Sequence, residues 1–231
     1  MASNRLAQFR VFGKKIVAVG RNYKAHAEEL GNKVPEKPII FTKPTTSYLS
    51  QGHPIKPTTT YISEGETIRF PPGCNDLHHE VELGIVVGKK GYQIPEEKAK
   101  EYIGGYFVAL DMTARDLQLD AKKNGHPWTL SKGWDTSTPA GEFIEKDKIT
   151  NPQNLQIWLK VNGEMRQNGN TADMIFSISY LISFISKYMT LEEGDVILTG
   201  TPSGVGGLKG GDVIEAGIGD VAKITFSVDK S

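Results

Sequence analysis

HEVELGIVVG, residues 79–88, is the stretch that decides how this chain folds. Its carboxylates, Glu80 and Glu82, alternate with the apolar residues Val81 and Leu83, and such alternation is typical of a β-strand. On a strand both carboxylates point to one side, roughly 6 to 7 Å apart along the chain. Two interpretations stay open: a half-buried strand whose polar side is wet, or a pair of carboxylates placed for chemistry.

A second apolar run, residues 106–110, predicts another strand and ends at Asp111. Three carboxylates converge if Asp111 lies beside Glu80 and Glu82. Like charges at that spacing repel, and a hard divalent cation removes the repulsion. Oxygen ligands with positions left for water or substrate are what Mg²⁺ or Mn²⁺ prefers. Under the second interpretation, these residues form a metal site, and the chain is an enzyme.

Length, charge and cysteine content restrict the class of protein. The 231 residues can bury a large core, and we expect one catalytic domain over residues 1–231. Lys plus Arg and Asp plus Glu both number 27, so no net field attracts nucleic acid or an acidic membrane. The single cysteine, Cys74, excludes an internal disulfide and a Cys-rich zinc module. No apolar run approaches the roughly 18 residues that span a bilayer.

Cap patterns predict three helices. Asn22 suits the N-cap of a helix that ends at Gly31, and Thr113 with Asp116 matches a capping box for a helix over 114–123. An apolar stretch over 173–189, with Asp173 near its start, predicts the third.

Strands outnumber these helices. Ile157 to Gln167, with Asn162-Gly163 at its centre, predicts a hairpin with a type I′ turn. Residues 49–75 are rich in Pro, Thr and Gly and predict a loop or small hairpin outside the core. The pattern as a whole favours a β-rich α+β fold.

Several polar residues outside the acidic strand could carry chemistry. His26 and Glu29 are spaced i,i+3, so the carboxylate could fix the imidazole tautomer and the pair could activate water. Arg115 and Gln118 share that spacing and suit an anionic substrate. Lys132 could neutralise developing negative charge. Each of these could equally be a solvated surface residue.

The run TGTPSGVGG, residues 199–207, permits close backbone approach to an anion and offers the Thr201 hydroxyl as a donor. It has neither the ending of a P-loop nor the glycine spacing of a dinucleotide fold, so a flexible turn is the main alternative. No Gly-x-Ser-x-Gly elbow supports a serine hydrolase.

Taken together, these motifs resemble the fumarylacetoacetate hydrolase family over nearly the whole chain. The matching segments are GRNY at 20–23 with His26 and Glu29, FTKP at 41–44, HEVEL at 79–83, DMTARD at 111–116 and GTPSGVG at 200–206. Their order makes the resemblance specific, and it raises the metal interpretation above the wet-strand one.

The resemblance implies the family's mixed β-roll or sandwich fold and a homodimer. Residues 1–50 would carry the His/Glu dyad and 76–231 the metal-bearing core. The implied roles are Mg²⁺ or Mn²⁺ ligation by Glu80, Glu82 and Asp111; water activation by His26 and Glu29; substrate binding by Arg115, Gln118, Lys132 and Thr201; and a catalytic charge on Lys132.

Within the family, MRQ at 165–167 and LEEGD at 191–195 favour members that hydrolyse acylpyruvates and decarboxylate oxaloacetate. Small α-keto acids such as acetylpyruvate, fumarylpyruvate and oxaloacetate are the implied substrates, and oxalate-like molecules the implied inhibitors. Two alternatives stay open: an isomerase, decarboxylase or hydratase of aromatic-degradation dioates, and a metal-binding scaffold without catalysis.

Two features at the margins complete the expectations. The first 27 residues contain basic residues and no acid, which is compatible with targeting to the mitochondrial matrix, with the cytosol as the alternative. Residues 57–73 look longer than in similar members of the family, which leaves open how much of the site mouth they cover.

Overall fold

The computed structural model describes residues 5–50 and 67–230. In chain order the strands of this part are β1 (Ile16–Gly20), β2 (Ile39–Lys43), β3 (Tyr48–Ser50), β4 (Ile68–Arg69), β5 (Leu77–His79), β6 (Val81–Val87), β7 (Ile103–Leu110), β8 (Thr113–Ala114), β9 (Thr138–Ala140), β10 (Ile144–Glu145), β11 (Gln156–Val161), β12 (Glu164–Asn170), β13 (Val196–Leu198), β14 (Gly206–Leu208), β15 (Val213–Ile218) and β16 (Ala222–Asp229). The α-helices are α1 (Phe9–Phe12), α2 (Lys24–Glu29), α3 (Arg115–Asn124), α4 (Thr129–Lys132) and α5 (Ile178–Ser186), and 3-10 turns cover Arg5–Gln8, Thr45–Ser47, Glu96–Tyr102, Lys146–Lys148 and Thr171–Asp173.

The strands of the described ranges assemble into three sheets. The eight-stranded sheet runs in the order β2-β1-β13-β6-β7-β9-β3, with β10 added to β7. The five-stranded sheet has the order β12-β11-β15-β16-β4, and the three-stranded sheet the order β14-β5-β8. Parallel pairs such as β1 with β13 occur beside antiparallel ones such as β6 with β7. This arrangement confirms the predicted β-rich α+β class.

The acidic strand lies at the centre of the largest sheet. β6 pairs with β13 on one side and β7 on the other, and all seven of its residues are buried. Gly84 permits this packing, because a Cβ there would lie 2.3 Å from the ring of Phe107. The interpretation of a strand with a wet polar face is therefore wrong: Glu82 is 1% exposed.

The predicted hairpin forms two neighbouring strands, β11 and β12, of the five-stranded sheet. β11 and β12 are joined by Asn162 and Gly163, whose φ angles of 51° and 81° fit the predicted type I′ turn. Along β16, buried and exposed residues alternate, as expected for a sheet with one face on the core.

The three predicted helices form as α2, α3 and α5, but each begins later than predicted. Asn22 does not cap α2; its side chain donates to the carbonyls of Thr199 and Phe176 and accepts from the Phe176 N–H. Tyr23 stands at the N-cap of α2 instead. The predicted end at Gly31 agrees with its left-handed φ of 66° just beyond the helix.

The starts of the other two helices have different causes. Thr113 lies in β8 and its hydroxyl donates to the Asp111 carbonyl, so no capping box forms and α3 begins at Arg115. Asp173 belongs to a 3-10 turn, and α5 begins five residues later because the Ser177 hydroxyl accepts from the Tyr180 N–H.

Part of the predicted excursion at 49–75 lies outside the described residues, as do 57–66 of the long segment at 57–73. Within the remainder, Ile68–Arg69 adds to the edge of the five-stranded sheet by pairing with β16. No helix among the residues described is both long enough and apolar enough to traverse a membrane.

Candidate metal centre and active-site cleft

Three carboxylates meet where β6 and β7 pair. Val81 lies opposite Leu110, so Glu80 and Asp111 flank the end of the ladder, and the Asp111 N–H donates to the Glu80 carbonyl at 2.8 Å. Carboxylate oxygens of Glu80, Glu82 and Asp111 lie within 4.8 Å of one another. All three side chains are buried, with residue exposures of 5%, 1% and 2%. The β pairing alone thus brings together acids separated by up to 31 positions.

Two of these carboxylates are paired with buried cations. Lys132 Nζ donates to Glu80 Oε2 at 2.9 Å and to Asp111 Oδ2 at 2.6 Å. The Arg115 guanidinium donates from Nη2 to Glu80 Oε1 at 2.6 Å. Although burial opposes the carboxylate charge, Lys132 and Arg115 hold the pKa of Glu80 below its ordinary value.

Glu82 is placed differently. Its Oε2 accepts a hydrogen bond from the backbone N–H of Gly200 at 2.7 Å. Burial, together with the nearby charges of Asp111 and Glu80, raises the pKa of Glu82 well above its ordinary value. A hard divalent cation would relieve this repulsion, and an all-oxygen donor set is the kind that such a cation takes. The residues therefore fit a Mg²⁺ or Mn²⁺ ion.

Lys43 is a site residue for which the sequence reasoning assigned no role. From the end of β2 its Nζ donates to Asp111 Oδ1 at 2.6 Å and to the Ser137 carbonyl at 2.7 Å. Complete burial, only partly opposed by Asp111, lowers the pKa of Lys43. The one signal for it was its place in the FTKP segment at 41–44, because a lone lysine on a strand carries no periodicity.

The two members of the predicted dyad lie on α2. His26 Nδ1 lies 3.4 Å from Glu29 Oε2, and the imidazole is buried while the carboxylate is partly exposed. Burial is the largest effect on the His26 pKa and lowers it, against the raising effects of Glu80 and Glu29. The second oxygen of Glu29 accepts the Gly204 N–H at 2.9 Å, so the glycine-rich run positions this carboxylate.

A narrow cleft joins the dyad to the carboxylates. Its polar lining residues are Arg21, His26, Glu80, Arg115, Gln118, Lys122 and Lys132. Within this lining, Arg115 Nη1 donates to Gln118 Oε1 at 2.7 Å, so the i,i+3 pair on α3 acts as one unit. Trp128 and Phe41 supply an apolar wall, with ring centroids 5.6 Å apart. Sequence reasoning assigned no role to Arg21 or Lys122.

Thr201 is separate from this set. Its hydroxyl accepts from Gln167 Nε2 at 2.8 Å, and Thr201 is not among the described residues that line the cleft. The buried Gln167 amide uses all four of its positions: Nε2 also donates to the Pro202 carbonyl, and Oε1 accepts from the Val81 N–H and from His79 Nδ1. Gln167 thereby joins β12, β6 and the glycine-rich run.

Comparison with known proteins agrees with this geometry. Residues 15–229 match the family model described as fumarylacetoacetate hydrolase C-terminal. An Arabidopsis thaliana protein named oxaloacetate tautomerase FAHD1, mitochondrial, is 53% identical over 230 residues, covering 100% of this chain and 97% of the relative. A Dictyostelium discoideum protein named oxaloacetate decarboxylase, mitochondrial, is 53% identical over 206 residues, covering 89% of each.

Among solved structures, fumarylpyruvate hydrolase from Pseudomonas aeruginosa in complex with Mn²⁺ and pyruvate superposes with a TM-score of 0.86 at 32% identity, covering 95% of this chain and 91% of that one. The predicted mixed β-roll of the family's C-terminal domain is confirmed by this similarity. The subgroup indicated by residues 165–167 and 191–195 is confirmed by the relatives. The chain is a member of the fumarylacetoacetate hydrolase family.

Proposed function

We propose that this protein is an enzyme that forms the enol or enolate of small α-keto acids. It hydrolyses acylpyruvates such as acetylpyruvate and fumarylpyruvate to pyruvate and a carboxylate, and it decarboxylates oxaloacetate to pyruvate and CO₂. The observation that carries the proposal is the buried set of three carboxylates beside a cleft lined by cations and a histidine. The names of the relatives support the same substrates.

In this proposal Glu80, Glu82 and Asp111 hold Mg²⁺, with Mn²⁺ as the alternative. The Mn²⁺ in the Pseudomonas aeruginosa structure supports a divalent ion of this class. When bound, such an ion supplies Lewis acidity next to the oxygen that becomes negative.

Arg115 and Gln118 bind and orient the substrate carboxylate. Arg115 is fixed by Glu80 on one side and by Gln118 on the other, so its remaining donors face the cleft in a set direction. Asp111 and Glu80 outweigh burial and raise the pKa of Lys132, so Lys132 stays protonated and its charge favours the developing enolate. The Thr201 hydroxyl binds an oxo group by donation, since its bond with Gln167 uses it only as an acceptor.

His26 and Glu29 activate water for hydrolysis. The lowered His26 pKa keeps the imidazole neutral near pH 7, with Nδ1–H held by Glu29 and Nε2 left to accept a proton. Water gives its proton to Nε2 and adds to the distal acyl carbonyl, and the carbon–carbon bond breaks with its electron pair on the pyruvate carbon. That carbon then takes up a proton. Oxaloacetate decarboxylation needs no water, so it depends less on this pair.

The relatives named oxaloacetate tautomerase favour a second activity at the same site. Conversion of the enol of oxaloacetate to its keto form moves a proton from the C2 oxygen to C3, through the same enolate. The same residues serve this activity: Arg115 and Gln118 bind the substrate carboxylate, Lys132 supplies the charge, and His26 moves the proton.

A homodimer in the mitochondrial matrix is also part of the proposal. The dimer is implied by the family resemblance, and the location is supported by the basic N-terminal stretch and by relatives named as mitochondrial. The isomerase or hydratase of aromatic-degradation dioates and the non-catalytic scaffold are the outcomes that would replace this proposal.

The deciding experiment measures pyruvate release from acetylpyruvate and from oxaloacetate, with added Mg²⁺ or Mn²⁺ and with EDTA. We expect metal-dependent release that EDTA and Glu80→Ala abolish, while the surface variant Glu215→Ala behaves as the parent protein. A thermal melt of each variant separates loss of the site from loss of the fold. Release no faster than with metal alone would reject the proposal, and turnover of dioates would then indicate the isomerase.

A further inference from the structure

The cations of the cleft fall into two groups. Arg115 and Lys132 are each bonded to Glu80, so carboxylates of the protein already balance them. Arg21 and Lys122 line the same cleft, and across the described parts of the chain neither has an acidic hydrogen-bond or ion-pair partner. The outer part of the cleft therefore carries positive charge that the protein leaves uncompensated.

Both outer cations are built into the fold. Arg21 adopts a left-handed φ of 58°, an unfavourable conformation for a residue with a Cβ. The next residue fixes this turn, because the Asn22 side chain is bonded to Thr199 and Phe176. Lys122 Nζ lies 5.4 Å from the ring centroid of Trp128, which also packs against Gly20. The backbone of Arg21 is thus fixed by the turn, and the Lys122 side chain packs on the aromatic wall of the cleft.

Arg21 and Lys122 carry like charges, which repel each other. Burial lowers the pKa of Arg21. Burial, then the charges of Arg21 and Arg115, lower the pKa of Lys122 to about 8. A bound anion between these groups would remove the repulsion and restore the charge on Lys122.

Helix α3 sets the spacing between the inner and outer groups. Arg115, Gln118 and Lys122 stand at i, i+3 and i+7, which is one face of a helix. Lys122 follows Gln118 by about 6 Å along the axis, at 1.5 Å per residue. A substrate whose first carboxylate lies on Arg115 and Gln118 would therefore extend its far end toward Lys122 and Arg21.

We propose that Arg21 and Lys122 form a subsite for the distal carboxylate of an α-keto dicarboxylate, so that the enzyme selects oxaloacetate over monocarboxylate substrates. This inference rests on the proposed function and names its substrate class. Acetylpyruvate provides the matched comparison, because it carries a methyl group where oxaloacetate carries the charged oxygen of its C4 carboxylate.

The subsite also sets the balance between two reactions of oxaloacetate. In decarboxylation the C3–C4 bond breaks, its electron pair stays on C3, C3 later takes up a proton, and C4 leaves as neutral CO₂. Cations that bind the C4 carboxylate favour the anion and so oppose this loss of charge. Conversion of enol to keto form keeps the C4 carboxylate, so Arg21 and Lys122 favour it over decarboxylation.

The test compares Arg21→Gln, Lys122→Met and the exposed neighbour Lys123→Met as control. For each subsite variant we expect the ratio of kcat/KM for enol-to-keto conversion of oxaloacetate to kcat/KM for acetylpyruvate hydrolysis to fall about tenfold, as for the loss of one charge-assisted hydrogen bond. We also expect CO₂ released per enol converted to rise. A ratio within twofold of the parent value, or a ratio that Lys123→Met lowers equally, would overturn the subsite.

Binding without turnover keeps the inference separate from the proposed function. Calorimetric dissociation constants of the Mg²⁺-loaded protein for 2-oxoglutarate and 2-oxovalerate, two five-carbon α-keto acids that differ in the distal carboxylate, test the subsite directly. We expect the parent protein to bind 2-oxoglutarate more tightly than 2-oxovalerate. In Lys122→Met the ratio of the two dissociation constants should shrink about tenfold. Equal affinities in the parent protein would overturn the subsite even if both substrates are turned over.

Discussion

β6 in the eight-stranded sheet and β15 in the five-stranded sheet each carry a glutamate in an otherwise apolar strand. Glu215 of β15 pairs with Lys223 on the next strand, and both side chains reach solvent. Glu82 of β6 is buried beside two more carboxylates. Burying a charge costs several kcal/mol, and Glu215 avoids this cost because its carboxylate stays in contact with solvent. The residue pattern of the two strands does not separate their glutamates; burial identifies the one whose charge needs a functional explanation.

The largest expected effect of breaking this contrast comes from Asp111→Ala. The change leaves Lys43 and Lys132 buried beside an empty position, so the free energy of unfolding should fall by about 3–5 kcal/mol. Pyruvate release should fall by at least about 10³-fold, because a metal ligand is lost as well. The matched change Glu215→Ala should leave the free energy of unfolding nearly unchanged, because solvent screens its pair with Lys223. Similar losses in urea denaturation for both variants would remove the distinction between the sheets.

His26→Gln tests whether hydrolysis and decarboxylation at the buried site depend differently on the His26 side chain. Acetylpyruvate hydrolysis should fall by about 10²- to 10⁴-fold, the usual contribution of a general base, whereas oxaloacetate decarboxylation should fall much less because it uses no water. His126→Gln, an exposed histidine just beyond α3, is the control. Steady-state rates on both substrates check the prediction, and comparable losses on both would assign His26 a different role.

Glu80 and Glu82 should respond in opposite directions in metal-free protein. The raised Glu82 pKa means that its contribution to stability is present below its unfolded value near 4.5 and is lost as pH rises. The lowered Glu80 pKa means that its contribution is present above that value and is lost only as pH falls.

In EDTA at pH 7, Glu82→Gln should therefore raise Tm and Glu80→Gln should lower it, by about 2–4 °C for each kcal/mol. Saturating Mg²⁺ should raise the Tm of the parent protein by more than it raises the Tm of either variant. Shifts of the same sign in a calorimetric scan would contradict the electrostatic description of the cluster.

The smallest effect is expected in the hairpin of the five-stranded sheet. Gly163 has a φ of 81° and space around its missing Cβ, so Gly163→Ala should destabilise the protein by about 1 kcal/mol through backbone strain alone. Turnover should be unchanged. Glu164→Ala on the same hairpin should stay within about 0.5 kcal/mol. A change in kcat for Gly163→Ala would show that this sheet takes part in the chemistry.

Local patterns predicted the strands and the hairpin because period and turn chemistry act over a few residues. They failed at the starts of α2 and α3, where groups distant in sequence bond the side chains expected to cap the helix. Asn22 could not be recognised as bonded to Thr199, 177 positions away. The hydroxyl of Thr113 accepts from Lys132 and donates to the Asp111 carbonyl, so the site takes the group that would have capped α3.

The site residues also differ in whether a sequence pattern indicated their roles. The spacing of Glu80 and Glu82 and the position of Asp111 suggested an acidic cluster, and the family motifs gave a specific interpretation to it. Lys43 and Gln167 lie within the family segments FTKP and MRQ, but nothing in the sequence indicated their roles, because those arise only once β2 and β12 come into contact with the cluster. Lys122 was hidden among exposed residues of α3, and only the cleft distinguishes it from Lys123.

The four bonds of Gln167 have a consequence for anyone who grafts this acidic strand onto another scaffold. Since Oε1 only accepts, His79 must carry its proton on Nδ1, and the strand's own Val81 N–H shares the same oxygen. Exchange of the amide for a carboxylate would place two acceptors together at the Pro202 carbonyl and force the Thr201 hydroxyl to donate where it now accepts. A graft that copies the three acids and omits this amide would lack the hydrogen bonds that hold the acidic strand against β12 and the glycine-rich run.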